Sequence, residues 1–528
     1  MVAAFTLSLL LQLAPVLWDD DDRQNIPEPE ERRVSTSYDF ITGTFAYPLF
    51  RAGDVPRHFR GLLGKPKEAE NINAVDEVPN SSWYTNRNFL APMTPEEIAR
   101  GPNRKSGPSP DGPWLVERCK TSGISPGLHI RDKDGDVFIL KFDRAQYPEL
   151  STAAEVIGSK IFYAAGYNTP SNSIVSFDPS ILELKAGVWC RNSDGDAFHL
   201  DSASLEQFFE SVARTPDGKI RAASSQFLEG VPKGPFSYLG WRKDDPNDVI
   251  AHEHRRELRG LQVIAAFMNH NDIKQLNTLD MYVEENGRKF IKHYLIDFGA
   301  TLGSATIFPK GSIEGYEHIF DVEQVLKSAV TLGIDQGRRG VDVTPIHPAL
   351  GYLAGSDFKP EDWKPNIPNP AFANMTDRDG YWGAKIVAAF TEEQLRAAIR
   401  AGAYSDPAAE ELLLETLRAR RDNVARYWFR RVAPLDRFRM AGRTLWFDDL
   451  AVQGGYDSPH NVRYEVRCES PQNGGAWILR AGDGVAIPAS PDPVRIEITR
   501  VSPGWPRRSV SVVVAERNGV LEVAGVRH

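Results

Sequence analysis

Apolar residues recur along this chain with two different periods. Across 255–268 they fall at Leu258, Leu261, Ala265 and Met268, one stripe of an amphipathic helix. The stretches 152–165, closed by Gly166, and 391–401 also read as helices. So does 408–429, with Leu412, Leu413, Leu417, Val424 and Trp428 on its core face. Short apolar runs at 129–131, 137–142, 222–229, 278–283 and 290–296 read as strands. From Pro434 the period becomes two, and 444–450, 461–467, 476–479, 494–501 and 509–515 predict short strands. Their spacing predicts a β-sandwich of about ninety residues.

Turn residues join some of these runs. Asp132-Lys133-Asp134-Gly135-Asp136 predicts a hairpin whose second strand carries Lys141. Glu284-Glu285-Asn286-Gly287-Arg288 predicts another, Asn-Gly being a strong hairpin signal, and this one brings Asn277 to Asp297. Between the 255–268 helix and that second hairpin lies His270-Asn271-Asp272-Ile273-Lys274-Gln275-Leu276-Asn277, and after it comes Asp297-Phe298-Gly299. The spacing suits phosphoryl transfer, which asks a protein mainly for positioning and charge neutralisation. Asp272 is placed to orient an acceptor hydroxyl and Lys274 to face the transferring phosphate. Asn277 and Asp297 supply the oxygens that Mg²⁺ prefers.

The 270–277 segment resembles the His-Arg-Asp-Leu-Lys-Pro-Glu-Asn loop of protein kinases, with Asn271 in place of the Arg. The order helix, loop, hairpin, Asp-Phe-Gly resembles that of their large lobe. In that family the Arg often contacts a phosphorylated activation loop, so Asn271 argues against control by such a phosphate. The resemblance implies a small lobe with Gly123 and Gly127 in the phosphate loop, although Gly-x-Gly-x-x-Gly is absent. It also implies that Lys141 pairs with Glu155 to hold the nucleotide phosphates. Gly230-Val231-Pro232, after the 222–229 strand, takes the place of a hinge that presents backbone to adenine. Two other roles fit the same residues. Thr152-x-x-Glu155 satisfies a capping box, which leaves Glu155 to the helix N-terminus, and Lys141 suits a solubilising position on an edge strand. Within the family the chain looks closer to divergent bacterial and secreted kinases, including HipA-like and spore-coat-kinase-like enzymes. Aminoglycoside-phosphotransferase-like enzymes share its motif style. The cofactors implied are ATP and Mg²⁺, and the acceptor is a hydroxyl of a protein, a sugar or another small alcohol.

Composition narrows the partners. With 528 residues, 41% hydrophobic and 25% charged, the chain is long enough for several globular domains, and its net charge of -9 argues against a nucleic-acid surface. Cys119, Cys190 and Cys468, odd in number and far apart, indicate neither a disulfide framework nor a zinc site. Asp132, Asp134 and Asp136 lack the Glu that an EF-hand needs at its twelfth position, where this chain has Asp143, so they read as a hairpin turn. His252 and His254 read as surface residues on either side of Glu253. The apolar run 5–16, ahead of Asp19-Asp20-Asp21-Asp22, suits a signal-peptide core better than a membrane span. A buried first helix in a cytoplasmic protein is the alternative, since the positive n-region is missing. No other stretch is apolar enough to cross a bilayer.

The organisation expected is a targeting segment 1–24, an extended wrap 25–115, a small lobe 116–250 with an insertion at 182–219, a large lobe 251–432 and a β-rich domain 433–528. Residues 205–213 form a helix in the insertion, and 300–377 form an irregular, substrate-facing loop. Within the wrap, Asn73-Ala74-Val75-Asp76-Glu77-Val78-Pro79-Asn80-Ser81-Ser82-Trp83 resembles a segment ahead of the kinase-like region in exported bacterial proteins. The fold class expected is thus α+β: a two-lobed protein-kinase-like domain with an extended N-terminal segment and a C-terminal β-sandwich-like domain. The function expected is ATP-dependent phosphotransfer, with a nucleotide-binding pseudokinase or a non-catalytic surface scaffold as alternatives.

Overall fold

In the first sheet the strands run in the order β4-β8-β3-β2-β1-β5. They are β1 (Trp114–Cys119), β2 (Gly127–Arg131), β3 (Val137–Lys141), β4 (Asn172–Phe177), β5 (Leu182–Leu184) and β8 (Ile220–Gln226). The computed structural model describes residues 16–63, 65–120, 125–191, 197–332, 343–469 and 475–528, and its architecture is mixed α and β. Side chains alternate across the sheet. Phe138 and Leu140 of β3 join Trp114, Val116, Leu128 and Ile130 in a core closed by Leu205 and Phe209 of the Ser202–Glu210 helix. Ile139 and Lys141 therefore point to the other face, toward the Leu150–Ala164 helix. Part of the expected insertion belongs to this sheet, because β5 pairs in parallel with β1. Strands β6 (Trp189–Arg191) and β7 (Ala197–His199) form a separate pair.

The Leu150–Ala164 helix starts two residues before the expected 152, and Asp143 is the reason. Its carboxylate accepts the N–H of Glu149 at 3.0 Å, of Ser151 at 2.7 Å and of Thr152 at 2.9 Å. Thr152 donates its hydroxyl to the same carboxylate, so the capping box does not form and Glu155 is released for another partner.

A second core surrounds the Arg256–Met268 helix, flanked by the helices Asp377–Ala388 and Pro407–Trp428. The helix ends at Asn269 in the left-handed conformation (φ 48°), which Asn tolerates. A three-stranded sheet follows, β11-β10-β9, built from β9 (Val231–Pro232), β10 (Thr278–Glu285) and β11 (Arg288–Leu295). Positive φ at Asn286 and Gly287 closes its hairpin, as the dipeptide predicts.

Upstream, the wrap is less extended than expected: Thr36–Ile41, Tyr47–Ala52 and Val55–Leu62 are helices. Its extended parts do pair with the body, Ile26 N–H with Lys289 O at 3.0 Å and Arg32 N–H with Lys233 O at 3.0 Å. Residues 73–83 lie in a buried charge network. Asp76 bonds Arg256 at 2.6 Å, Arg378 at 2.6 Å and His528 at 2.8 Å, while Lys385 lies between Glu77 and Asp436. The C-terminal strands form a three-stranded and a five-stranded sheet around one core that includes Leu435, Leu445, Val466, Ile496 and Val512.

Two further expectations need correcting. Cys119 and Cys190 form a disulfide with Cα atoms 5.3 Å apart, because β5 and β6 fold back beside β1 across a sequence separation of 71. Only Cys468 is free, and it is buried. His252 is fully buried, bonded to Asp248 at 2.7 Å, rather than on the surface. Among the described residues no helix is long and apolar enough to cross a membrane, and the 5–16 run, all but Val16, lies outside them.

Candidate active site

Lys141 joins the two parts of the site. Its ammonium lies 2.9 Å from Glu155 Oε2 and 2.9 Å from Asp297 Oδ1. Glu155 is buried, and its other oxygen accepts from Asn172 Nδ2 at 3.2 Å. Burial opposes the Lys141 charge, but the Asp297 and Glu155 carboxylates outweigh it and raise the pKa. The Lys141 ammonium in turn, against burial, holds Asp297 well below the usual carboxylate range. Neither edge-strand solubilisation nor helix capping describes this pair.

Asp297 sits at φ 65°, ψ 68°, a left-handed backbone that a non-glycine residue adopts only where its surroundings impose it. The next side chain supplies that constraint. Phe298 is fully buried against Phe162 at 5.1 Å and His270 at 5.8 Å between ring centroids. Glycines make room: a Cβ at Gly158 would lie 2.7 Å from Phe298 Cβ, and one at Gly299 would lie 2.8 Å from Ser151 Oγ. Burial lowers the His270 pKa to about 4, so this ring is neutral packing at ordinary pH.

The 270–277 segment forms a tight loop. Lys274 Nζ donates to both oxygens of Asp272, at 2.8 and 2.9 Å. Asn277 Nδ2 donates to Asp272 O at 2.7 Å and Oδ2 at 2.9 Å, which turns its amide oxygen the other way. Ile296 N–H donates to Asn277 O at 3.1 Å, so the hairpin mouth sets Asn277 beside the residue preceding Asp297. An amide oxygen and a carboxylate are hard donors that fit Mg²⁺, which at phosphate sites takes one or two carboxylates and fills its remaining positions with phosphate and water. Among the described residues no group of three or more His, Cys, Asp and Glu is arranged to hold a metal. Asn271 instead bonds Asn366, side chain to side chain at 2.7 Å and through its carbonyl at 2.7 Å.

Lys141, Glu155 and Asp297 are thus in contact, as are Asp272, Lys274 and Asn277, and the hairpin joins the two groups. Gly127 pairs with Lys141 across β2 and β3, while Gly123 lies outside the described residues. Gly230 has φ 102° and packs against the Tyr282 carbonyl, at the junction of the two sheets. Three neighbours of the site were not expected. Lys120 interacts electrostatically with Lys141 and Asp297. Asp39 of the Thr36–Ile41 helix lies over the loop, near Lys274 and Asp272, and burial raises its pKa. Lys310, from the segment after Gly299, donates to Asn269 O and to Ala300 O, the latter at 2.9 Å. Two of these come from segments distant in sequence, and the third from a loop without a recognisable motif.

The sequence matches no protein-family model and no curated protein. Among solved structures the chain is similar to a Golgi casein kinase (TM-score 0.27, 11% identity, 77% of this chain and 94% of that one). It is similar also to the Golgi casein kinase with Mn/ADP bound (TM-score 0.26, 11% identity, the same 77% and 94%). TM-scores this low establish neither a shared fold nor an activity.

Proposed function

We propose that this protein is an ATP-dependent phosphotransferase of two-lobed, kinase-like architecture that acts on a hydroxyl acceptor. The observation that carries the reading is Lys141 held between Glu155 and Asp297 from three separate elements, beside a loop in which Asp272, Lys274 and Asn277 are bonded together. A strand lysine positioned by a helix glutamate, beside the aspartate of Asp-Phe-Gly, is the arrangement that a kinase α/β-phosphate clamp uses. Residues 116–250 and 251–432 serve as its lobes, 25–115 as a wrap and 433–528 as a β-domain. The placement among HipA-like and spore-coat-kinase-like enzymes rests on the motifs.

Each residue then has a task. Lys141 binds the phosphates and Glu155 fixes its position. Asp297 and the Asn277 amide oxygen would hold Mg²⁺, which when bound would supply charge neutralisation at the transferring group. Asp272 accepts the acceptor's proton as its oxygen forms a bond to the γ-phosphorus and the bridging P–O bond to ADP breaks. Lys274, hydrogen-bonded to Asp272, balances charge there.

The test separates binding from transfer. Asp297→Ala is expected to weaken Mg²⁺-dependent ATP binding in calorimetry. Asp272→Ala is expected to leave binding nearly intact while lowering transfer by about 10²–10⁴-fold, the usual scale of general-base assistance. Wild-type protein that binds Mg²⁺–ATP without transferring phosphate, even to water, would favour the pseudokinase. Protein that binds no nucleotide would leave the scaffold.

A further inference from the structure

We propose that Lys120 is a second phosphate-binding cation of this site, gripping the polyphosphate of Mg²⁺–ATP opposite Lys141; the proposal rests on the nucleotide-site reading above. Three residues share one rung of the first sheet. Cys119 lies opposite Leu128, Lys120 N–H donates to Gly127 O at 2.9 Å, and Gly127 pairs with Lys141. Directly opposed residues of antiparallel strands project to the same face. Lys120 and Lys141 therefore flank a position with no side chain, on the face where Glu155 and Asp297 meet Lys141.

Gly127 makes the arrangement possible. A Cβ there would lie 2.9 Å from Lys120 Cδ, 3.2 Å from Lys120 Cβ and 2.6 Å from the Leu140 carbonyl oxygen. The Lys120 chain thus occupies the space that glycine leaves. Its ammonium donates to Ser125 O at 3.2 Å and Ser125 Oγ at 2.9 Å, both neutral groups, whereas Lys141 is held by two carboxylates. Burial, and then repulsion by the nearby Lys141 ammonium, lower the Lys120 pKa, and the Asp297 and Glu155 carboxylates offset this only in part. A polyphosphate relieves that repulsion, whereas the uncharged adenosine moiety does not. Where Gly-x-Gly-x-x-Gly kinases rely on a glycine-rich loop over the phosphates, this chain uses one glycine as a spacer and a lysine as the contact.

The experiment uses the full chain. Calorimetric Kd values for Mg²⁺–ATP and for adenosine are measured on the wild type, Lys120→Met and Lys120→Arg. Losing one charge-assisted hydrogen bond predicts that Lys120→Met weakens Mg²⁺–ATP by about 10–100-fold while adenosine affinity is unchanged, and that Arg restores most of the loss. A merely structural lysine, tethering Ser125, would lower the Tm and leave the ratio of the two affinities unmoved, and that result overturns the proposal. Wild-type protein that fails to bind Mg²⁺–ATP overturns the nucleotide site itself, an outcome distinct from a variant that binds as well as wild type. Should Lys120→Met not fold, amine acylation of the wild type, read by peptide mass spectrometry, replaces it. Protection of Lys120 by Mg²⁺–ATP but not by adenosine supports the assignment, and equal labelling with and without Mg²⁺–ATP sinks it.

Discussion

Two lysines near the site, Lys141 partly buried and Lys310 buried, solve the problem of burial in opposite ways. Lys141 keeps its proton because two carboxylates surround it. Lys310 is fully buried among carbonyl oxygens, and burial lowers its pKa from 10.5 to about 7. Its folded pKa lies below its unfolded one, so between about pH 7 and 10.5 the unfolded chain binds more protons. Stability from this residue therefore rises with pH across that window and is flat below it. Urea unfolding of wild type and Lys310→Met at several pH values checks this. The wild type is expected to gain stability over the variant from pH 7 to 9, and parallel curves would mean that Lys310 stays charged. Asp272, Lys274, Asn277 and Asp297 stand out in the sequence because local spacing and one hairpin turn are enough to bring them together. Lys120 becomes visible only through cross-strand register, and Asp39 only through the docking of a distant helix, neither of which a linear pattern encodes.

At the scale of elements, packing overrides propensity where the site is built. Gly158 sits inside the Leu150–Ala164 helix, where Ala is ordinarily favoured by about 1 kcal/mol. A Cβ there would come within 2.7 Å of Phe298 Cβ, and Phe298 holds Asp297 in place. Gly158→Ala is therefore expected to destabilise by about 1–3 kcal/mol, the usual cost of overpacking, and to weaken Mg²⁺–ATP binding at a distance from the nucleotide. Chemical denaturation and calorimetry on the same variant check both, and a stabilised variant with normal affinity would show that the helix and Phe298 separate freely. Elements with strong local signals were legible: Arg256–Met268 and β10–β11 lie within a residue or two of the ranges read from the apolar stripe and Asn-Gly. Asp377–Ala388 was not, since Gly380 and Gly383 depress its helical pattern, yet glycine is what lets its backbone approach Gly260 and Val263. The helices within 36–62 were missed for another reason. Leu49, Phe50, Phe59 and Leu62 are exposed, so no buried stripe marks them.

Across the whole molecule, the buried network around Asp76 ties the wrap, the Arg256–Met268 helix and the C-terminal strands into one unit. The wrap continues to Trp18, whose carbonyl accepts Asn80 N–H at 2.7 Å, and to Asp22, which accepts the N–H and hydroxyl of Ser82. The Cys119–Cys190 bond fits an oxidising compartment, where such bonds persist. On this ground, and on the apolar 5–16 run of the sequence, we propose that the protein is exported and its signal removed ahead of the folded segment. On that proposal the proposed phosphotransferase would meet little ATP, and its acceptor would be an exported protein or an envelope sugar phosphorylated where nucleotide is supplied. The expected mature chain, recovered from the envelope or medium of its native host, begins at or before Trp18, keeps the acidic run, and shows Cys119 and Cys190 joined in a non-reducing peptide map. Breaking the bond by Cys190→Ser should cost about 2–4 kcal/mol, since the closed loop is long. An intact Met1 with both thiols reduced, in the cytosolic fraction, would overturn export and turn the search for the acceptor to intracellular proteins and metabolites.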